Sequence, residues 1–264
     1  DSRYGGSGTH LSSLTDNGNN GDDVETISLP FSFNFYGQEY DEISVCSNGW
    51  ISMGESTLAS FRNYRIPGVG GPSSMVAVFW DDLQLTDQGR VYTYYDETAR
   101  KFYIEWSRVR TYQNNTEETF QAVLLDPSYY VTPTGDGEIL LQYLDFNNTS
   151  YGSYPYVHGD YCTVGIEDHT MTQGLQYTFN NSYQTASQEI SDGTALLITT
   201  RGGTIRLMGD LNYDEKINIF DIMLLVDFNM GYVGHINPFF ADINGDNLVN
   251  VLDVIALIRV VLMY

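Results

Sequence analysis

Positive charge is scarce in this 264-residue chain. Only 12 Lys and Arg residues stand against 34 Asp and Glu residues, which gives a formal net charge of −22, and Lys101 and Lys216 are the only lysines. A chain this acidic is repelled by phosphate backbones, so the composition argues against nucleic-acid binding. The acidity suits an extracellular protein that meets calcium, provided that its carboxylates are spaced as calcium ligands.

Long apolar runs are absent as well. No stretch of about 20 consecutive apolar residues occurs, so the sequence predicts no membrane span. The chain begins at Asp1 and shows no signal peptide. We therefore expect a mature, secreted product whose targeting segment has been removed.

Cysteine is equally rare. Cys46 and Cys162 both lie in strand-like segments. In a secreted chain they predict one disulfide, which would close a loop of about 115 residues. Two buried free thiols are the alternative.

Catalytic motifs are missing too. Four histidines occur without metal-ligand spacing, and no nucleophile elbow, zincin helix or phosphate loop is present. We therefore expect a protein that is not an enzyme.

Residues 1–208 have the pattern of an all-β domain. Tyrosine (21), phenylalanine (13) and glycine (25) are abundant, as in strands joined by tight turns. Short apolar or alternating runs recur, with turn signals such as Asn48-Gly49 between them. The predicted strands span 27–36, 43–53, 75–80, 91–95, 102–106, 119–125, 139–144, 161–166, 175–179 and 195–199. Many short strands without a long helical period predict a β-sandwich or jelly roll.

The pattern changes at residues 209–264. Two segments, 219–230 and 251–263, are apolar over helical length, and each follows a stretch rich in Asp and Asn. A domain of about 55 residues builds little core by itself, so a metal or a partner is expected to support it.

These two Asp- and Asn-rich stretches form an internal repeat. The copies start at Asp210 and Asp242, and both carry oxygen-bearing side chains at loop positions 1, 3, 5, 9 and 12, while position 7 offers a backbone carbonyl. Calcium takes six to eight oxygen ligands in such loops, so the spacing predicts two calcium ions. The predicted ligands are Asp210, Asn212, Asp214, Lys216 (backbone), Asn218 and Asp221 in the first loop, and Asp242, Asn244, Asp246, Leu248 (backbone), Asn250 and Asp253 in the second.

A loop followed by a helix, twice over, resembles the dockerin module of cellulosomal and other bacterial surface proteins. The resemblance covers 209–264 and implies a calcium-dependent fold and a protein partner, typically a cohesin-type domain. The usual glycine at position 6 is replaced by Glu215 and Asn247. At positions 10 and 11, where many dockerins carry small hydroxyl residues that contact the cohesin, this chain has Ile219-Phe220 and Val251-Leu252.

The two predicted helices are apolar nearly all round, unlike ordinary amphipathic surface helices. Packing them together cannot hide both surfaces, so either the β domain or another molecule must cover the remainder. We favour an intermolecular cover for at least part of it. The predicted partner-binding residues are Ile219, Phe220, Met223, Val251, Leu252, Ile255 and Arg259.

The β domain has a resemblance of its own. The stretches LPFSFNFYG (29–37), ISVCSNGWIS (43–52) and VAVFWDDL (76–83), with 119–124 and 163–167, resemble the nidogen-like β domains of large bacterial surface and secreted proteins. The resemblance implies a sandwich and an extracellular setting, without a defined ligand.

Three features of the β domain have both a structural and a binding interpretation. The pair Asp81-Asp82 could bind a cation or a sugar, although such pairs more often cap a strand end beside a loop. The segment 16–23 (DNGNNGDD) could hold calcium, although such sequences more often form solvated loops. The tyrosine-rich stretch 151–161 could stack on carbohydrate or contact a protein.

Together these observations predict a secreted structural protein of a bacterial or archaeal cell surface. Its calcium-ordered module would dock onto a neighbouring subunit, as a homo-oligomer or a polymer such as a filament or sheath. The alternative is a carbohydrate- or cell-adhesive sandwich that its dockerin attaches to a cohesin-type scaffold.

Overall fold

The computed structural model describes residues 8–18, 21–149, 160–185, 187–201, 208–214, 216–246 and 248–263. The chain divides into two compact units, Asp1–Thr200 and Arg201–Tyr264. The predicted fold class is confirmed, because the first unit is built from β-strands and the second contains two helices of more than two turns.

Fourteen strands form the first unit within its described residues. They are β1 (Thr9–His10), β2 (Val24–Phe35), β3 (Gln38–Cys46), β4 (Trp50–Met53), β5 (Met75–Trp80), β6 (Leu83–Gln84), β7 (Arg90–Asp96), β8 (Lys101–Thr111), β9 (Glu117–Leu125), β10 (Ile139–Asp145), β11 (Thr163–Glu167), β12 (Gly174–Phe179), β13 (Ser182–Tyr183) and β14 (Ala195–Ile198).

These strands form two antiparallel sheets of seven strands each. Sheet A has the order β1-β7-β8-β9-β10-β14, and β6 also pairs with β8. Sheet B has the order β13-β12-β11-β5-β4-β3-β2. The edges are short except for β2, whose register with β3 shifts between Ser28 and Phe33, around Pro30. A proline and an irregularity are common protections of an exposed edge.

The main core lies between the two sheets, as expected from the two-residue alternation along the strands. Its centre is a column of aromatic rings: Phe79 of sheet B stacks on Phe120 of sheet A at 5.1 Å, and Trp106 stacks on Phe120 at 5.3 Å. All three side chains are buried. This column joins the two sheets into a sandwich.

A second, smaller core covers the outer face of sheet B. Trp50 and Trp80 are buried there, and the indole Nε1 of each donates a hydrogen bond to the same acceptor, the backbone carbonyl of Ser60, at 2.9 Å. The segment between β4 and β5 is thereby fixed against the sheet.

The predicted disulfide is wrong, because Cys46 and Cys162 are both free and buried. Cys46 belongs to the small core with Trp50 and Trp80, on the outer side of sheet B. Cys162 belongs to the main core between the sheets. The two thiols therefore lie in different layers of the protein, where no bridge can join them without rearrangement.

The predicted Asn48-Gly49 turn joins β3 to β4. Gly49 has a φ of +76°, a conformation that other residues rarely adopt, and a Cβ at this position would collide with the carbonyl oxygen of Phe79. The predicted strand 43–53 is accordingly two strands with a glycine turn between them.

In its described residues the second unit contains three helices: α1 (Ile219–Asn229), α2 (Pro238–Ala241) and α3 (Val251–Met263). Its core is made by Leu225 and Leu257 from the two long helices together with Phe240 of α2 and with Leu211 and Ile236, which lie outside the helices. Within the described residues, no helix has the length and hydropathy needed to cross a bilayer.

Candidate metal loops and docking surface

Asp221 closes the first loop. Its Oδ1 accepts hydrogen bonds from the backbone N–H groups of Leu211 (2.8 Å) and Asn212 (3.2 Å) near the start of the loop. Its Oδ2 accepts from the N–H of Asn218 at 2.8 Å, near the end. The carboxylate is fully buried. Because its two oxygens bond to opposite ends of the loop, it holds these ends together at the start of α1.

The other oxygen ligands of the first loop gather within one turn. The backbone N–H of Asp214 donates to Oδ1 of Asp210 (3.2 Å) and to Oδ1 of Asn212 (3.0 Å), which places those two oxygens next to each other. Oδ1 of Asp214 in turn accepts from the N–H of Lys216 at 3.0 Å. Three side-chain oxygens are thus preorganised at positions 1, 3 and 5.

The second loop repeats this network. The N–H of Asp246 donates to Oδ1 of Asp242 (3.1 Å) and Oδ1 of Asn244 (2.8 Å). Asp253 is buried, and its two oxygens accept from the N–H groups of Asn244 (3.2 Å) and Asn250 (2.8 Å). Two loops that differ in sequence between the ligand positions therefore share one geometry.

Asn218 and Asn250, predicted as ligands at position 9, act as helix N-caps. Oδ1 of Asn218 accepts from the N–H of Phe220, and Oδ1 of Asn250 accepts from the N–H of Leu252, both at 2.8 Å. Each cap satisfies a backbone donor at the start of a helix, α1 or α3. The structure thus gives each asparagine a structural role, and its role as a ligand stays a prediction.

The donor chemistry of both loops fits calcium, because every predicted ligand atom is a carboxylate, amide or carbonyl oxygen. Within the residues described, no three or more His, Cys, Asp or Glu side chains group as a metal site. The predicted ligand sets also contain asparagine and backbone oxygens, which that grouping does not count. Glu215 and Asn247, at position 6, lie outside the described residues.

The two halves of this unit follow the sequence repeat in three dimensions. Ile222 and Leu225 of α1 are buried, and so are Val254 and Leu257, which stand 32 positions later on α3. Ile217 and Val249, at position 8 of the loops, pack against the same core from partly buried positions. One face of each helix is therefore buried in the contact between α1 and α3.

The opposite faces of the helices remain exposed. All seven predicted partner-binding residues lie on this exposed surface, and six of them form three matched pairs on α1 and α3. Their apolar members define what we call the docking surface: Ile219, Phe220, Met223, Val251, Leu252 and Ile255. Arg259 is exposed beside them on α3.

Sequence reasoning missed part of the exposed apolar surface. Met230 and Leu262 are also exposed, and they too stand 32 positions apart. Extending the comparison of the two repeats beyond the first helical turn would have found this pair.

The first unit contains carboxylic acids that folding buries or partly buries. Asp81 and Asp82 join β5 to β6, and Oδ1 of Asp81 accepts from the N–H of Asp82 at 2.8 Å. Burial raises the pKa of Asp81 and raises the pKa of Asp82 to about 7. Asp16 is also buried, and Oδ1 of Asp16 accepts from the N–H of Gly18 at 2.8 Å, in a turn. Most of the tyrosine-rich stretch, residues 151–159, lies outside the described part of the chain.

Comparisons with known proteins agree with this division of the chain. The family model "NIDO related" matches residues 3–204, and the model "Dockerin type I domain" matches residues 208–262. No curated protein and no solved structure matched the chain. Dockerin type I domains bind calcium and dock onto cohesin-type protein partners, typically in secreted or cell-surface proteins.

Proposed function

Because the chain belongs to the NIDO-related family and carries a type I dockerin domain, we propose that it is a non-catalytic assembly protein of the cell surface. Its C-terminal unit, ordered by two calcium ions, docks onto a neighbouring subunit of the same kind. The single observation that carries this proposal is the docking surface, which presents matched apolar residues on both long helices.

Calcium supplies positive charge to two loops that are lined with carboxylates. The chain itself contributes the closing carboxylates of Asp221 and Asp253, which hold the start of each loop against the start of its helix. Because the two helices carry the docking surface, ordering of the loops and formation of that surface are coupled.

The apolar character of the surface favours a partner of matching chemistry. Ile219-Phe220 and Val251-Leu252 offer no hydroxyl groups at the positions where many dockerins have them. An exposed apolar patch of this kind is typical of protein interfaces. A second copy of the chain carries the same apolar patch. It is the simplest partner, because a symmetric contact between two copies buries both patches.

Sedimentation velocity tests the proposal with the full chain in calcium. We expect association that increases with protein concentration and is lost in the double variant Phe220→Asp, Leu252→Asp, because two charges are then placed in the contact. The expected weakening is about 100-fold or more, as for central apolar residues of interfaces.

Val131→Asp with Leu175→Asp is the matched control. Phe220 and Leu252 are 62% and 53% exposed, and Val131 and Leu175, on the first unit, are 62% and 57% exposed. Self-docking is rejected if the chain remains monomeric in calcium at all concentrations, or if the control pair has the same effect. Electron microscopy of the associated material then distinguishes closed oligomers from filaments.

A further inference from the structure

The outer face of sheet A carries an ordered set of side chains that the docking surface does not use. Ile104 and Trp106 of β8 belong to the main core, so Tyr103 and Glu105 between them lie on the outer face. The strand register extends Glu105 into a row across four strands, Tyr92, Glu105, Gln121 and Gln142. Adjacent members of such a row are about 5 Å apart.

Three members of this row, Glu105, Gln121 and Gln142, line the floor of a cleft. Nε2 of Gln121 donates to Oε1 of Gln142 at 2.8 Å, which fixes both amides side by side. The cleft encloses about 280 Å³ and is bordered by Leu144 and Thr194. The paired amides still offer an amide oxygen and an amino group to a ligand, so the floor can both accept and donate hydrogen bonds.

A row of tyrosines runs beside the cleft. Tyr94 and Tyr103 occupy paired positions on β7 and β8, two residues away from Tyr92 and Glu105, and their ring centroids are 6.0 Å apart with a 39° angle between the ring planes. Tyr94 is exposed and Tyr103 is half-buried. These rings offer a flat apolar surface with polar hydroxyl ends.

The polar cleft floor and the tyrosine rings together restrict the chemical class of the ligand. Glu105 and a chain charge of −22 disfavour an anionic molecule. A stable protein interface buries about 800 Å² on each partner, which is far more surface than this cleft offers, and the floor of the cleft is polar. A neutral sugar chain matches both rows, because a pyranose ring has apolar C–H faces that pack on aromatic rings and hydroxyl groups that bond to amides and carboxylates.

We propose that this face binds a neutral polysaccharide, with sugar rings packed on Tyr94 and Tyr103 and hydroxyl groups hydrogen-bonded to Gln121, Gln142 and Glu105. The site is independent of the docking surface and of calcium, since all of its residues lie on strands of the first unit. It gives a self-docking protein a contact with the glycans around it.

Affinity electrophoresis of the full chain tests this site in gels that contain soluble mixed-linkage β-glucan, laminarin, xylan, mannan or anionic polygalacturonate. We expect retardation by at least one of the neutral polymers and not by polygalacturonate. Tyr94→Ala and Gln121→Ala should each weaken the binding, Tyr94→Ala by about tenfold, because each removes one contact surface.

Tyr112→Ala is the matched control, because Tyr112 is 39% exposed and Tyr94 is 44% exposed, both on the first unit. Circular dichroism verifies that each variant is folded. If Gln121→Ala is not folded, Gln121→Glu replaces it, because this change keeps the size of the side chain. Retardation by none of the neutral polymers overturns the proposal. It is also overturned if the folded Tyr94 and Gln121 variants bind as the unchanged protein does, or if Tyr112→Ala weakens binding equally.

Discussion

Glu118 is a carboxylic acid that folding removes from water. It is fully buried on β9, where Oε2 accepts from the N–H of Asn147 at 2.7 Å and Oε1 accepts from the N–H of Asn148 at 3.0 Å. Burial raises the pKa of Glu118 to about 8; these two hydrogen bonds lower it, and the nearby carboxylates of Asp145 and Asp192 raise it. The group is therefore mainly protonated in the folded protein at neutral pH.

This raised pKa predicts a pH dependence. The contribution of Glu118 to stability is fully present below about pH 4.5, the ordinary pKa, and is lost as the pH rises towards 8, because the unfolded chain releases the proton earlier. In Glu118→Gln the titration is gone. The decrease in unfolding free energy between pH 5 and pH 8 should shrink by an amount on the order of a few kcal/mol, measured by chemical denaturation.

Glu117→Gln is the control, because Glu117 is the preceding residue on the same strand and is half-exposed. It should keep the original pH dependence. At pH 4.5, Glu118→Gln should cost about 1–3 kcal/mol, since its amide group faces a backbone donor. Identical pH profiles for Glu118→Gln and the unchanged protein would contradict the assignment.

The position of Glu118 was only half predictable. Alternation along β9 assigns it to the same face as Phe120 and Ala122, which is the buried face. What the sequence does not reveal is the pair of backbone donors at Asn147 and Asn148, about 30 positions away, that makes burial of a carboxyl group tolerable. Local patterns carry no information about such a distant partner.

At the scale of elements, the helices were predicted closely and for a physical reason. The segment 251–263 coincides with α3, and 219–230 exceeds α1 by one residue. The predicted ligand pattern marks where each helix starts, since the capping asparagine is at position 9 of that pattern. The helix α2, with four residues, was missed because it is too short to show a period.

Removal of calcium should affect the two units differently. We expect chelation with EDTA to abolish the helical circular dichroism signal, because the second unit needs its ions to offset the repulsion between loop carboxylates. Tryptophan emission should stay unchanged, since Trp50, Trp80 and Trp106 are all buried in the first unit. The two signals thus report on separate units of one chain.

Variants of the loops should reproduce the effect of chelation. Asp210→Ala with Asp242→Ala removes position 1 from both loops and should abolish the helical signal even in excess calcium. Asp227→Ala is the matched control, because Asp227 lies on α1 beyond the loop. A helical signal that survives both EDTA and the double variant would disprove the assignment of these loops.

At the scale of the whole molecule, composition and periodicity predicted the fold class but not the layer in which each strand side chain lies. The predicted bridge rests on two cysteines that occur in strand-like segments of a chain expected to be secreted. The layer of a cysteine depends on which sheet its segment joins and which face it occupies, and both follow from pairings between distant segments, such as β5 with β11. The disulfide prediction failed at that step.

The free thiols lead to a test on the intact protein. Burial raises the pKa of both Cys46 and Cys162. Thiol titration with a chromogenic disulfide should therefore detect no reactive thiol in the folded protein and two after denaturation. A reductant should leave the melting temperature unchanged. A lower melting temperature in reductant, or fewer than two thiols after denaturation, would contradict the free thiols and support a disulfide.

The edges of the sandwich decide how copies can be joined. Among the described strands, β1 and β13 have two residues each and β14 has four, while the long edge strand β2 is interrupted around Pro30. Backbone-to-backbone growth, the route taken by amyloid, is thus disfavoured at these described edges. A fibre built through the docking surface would be held by side-chain contacts, and withdrawing its ions would dissolve it into subunits whose β-sandwich stays folded.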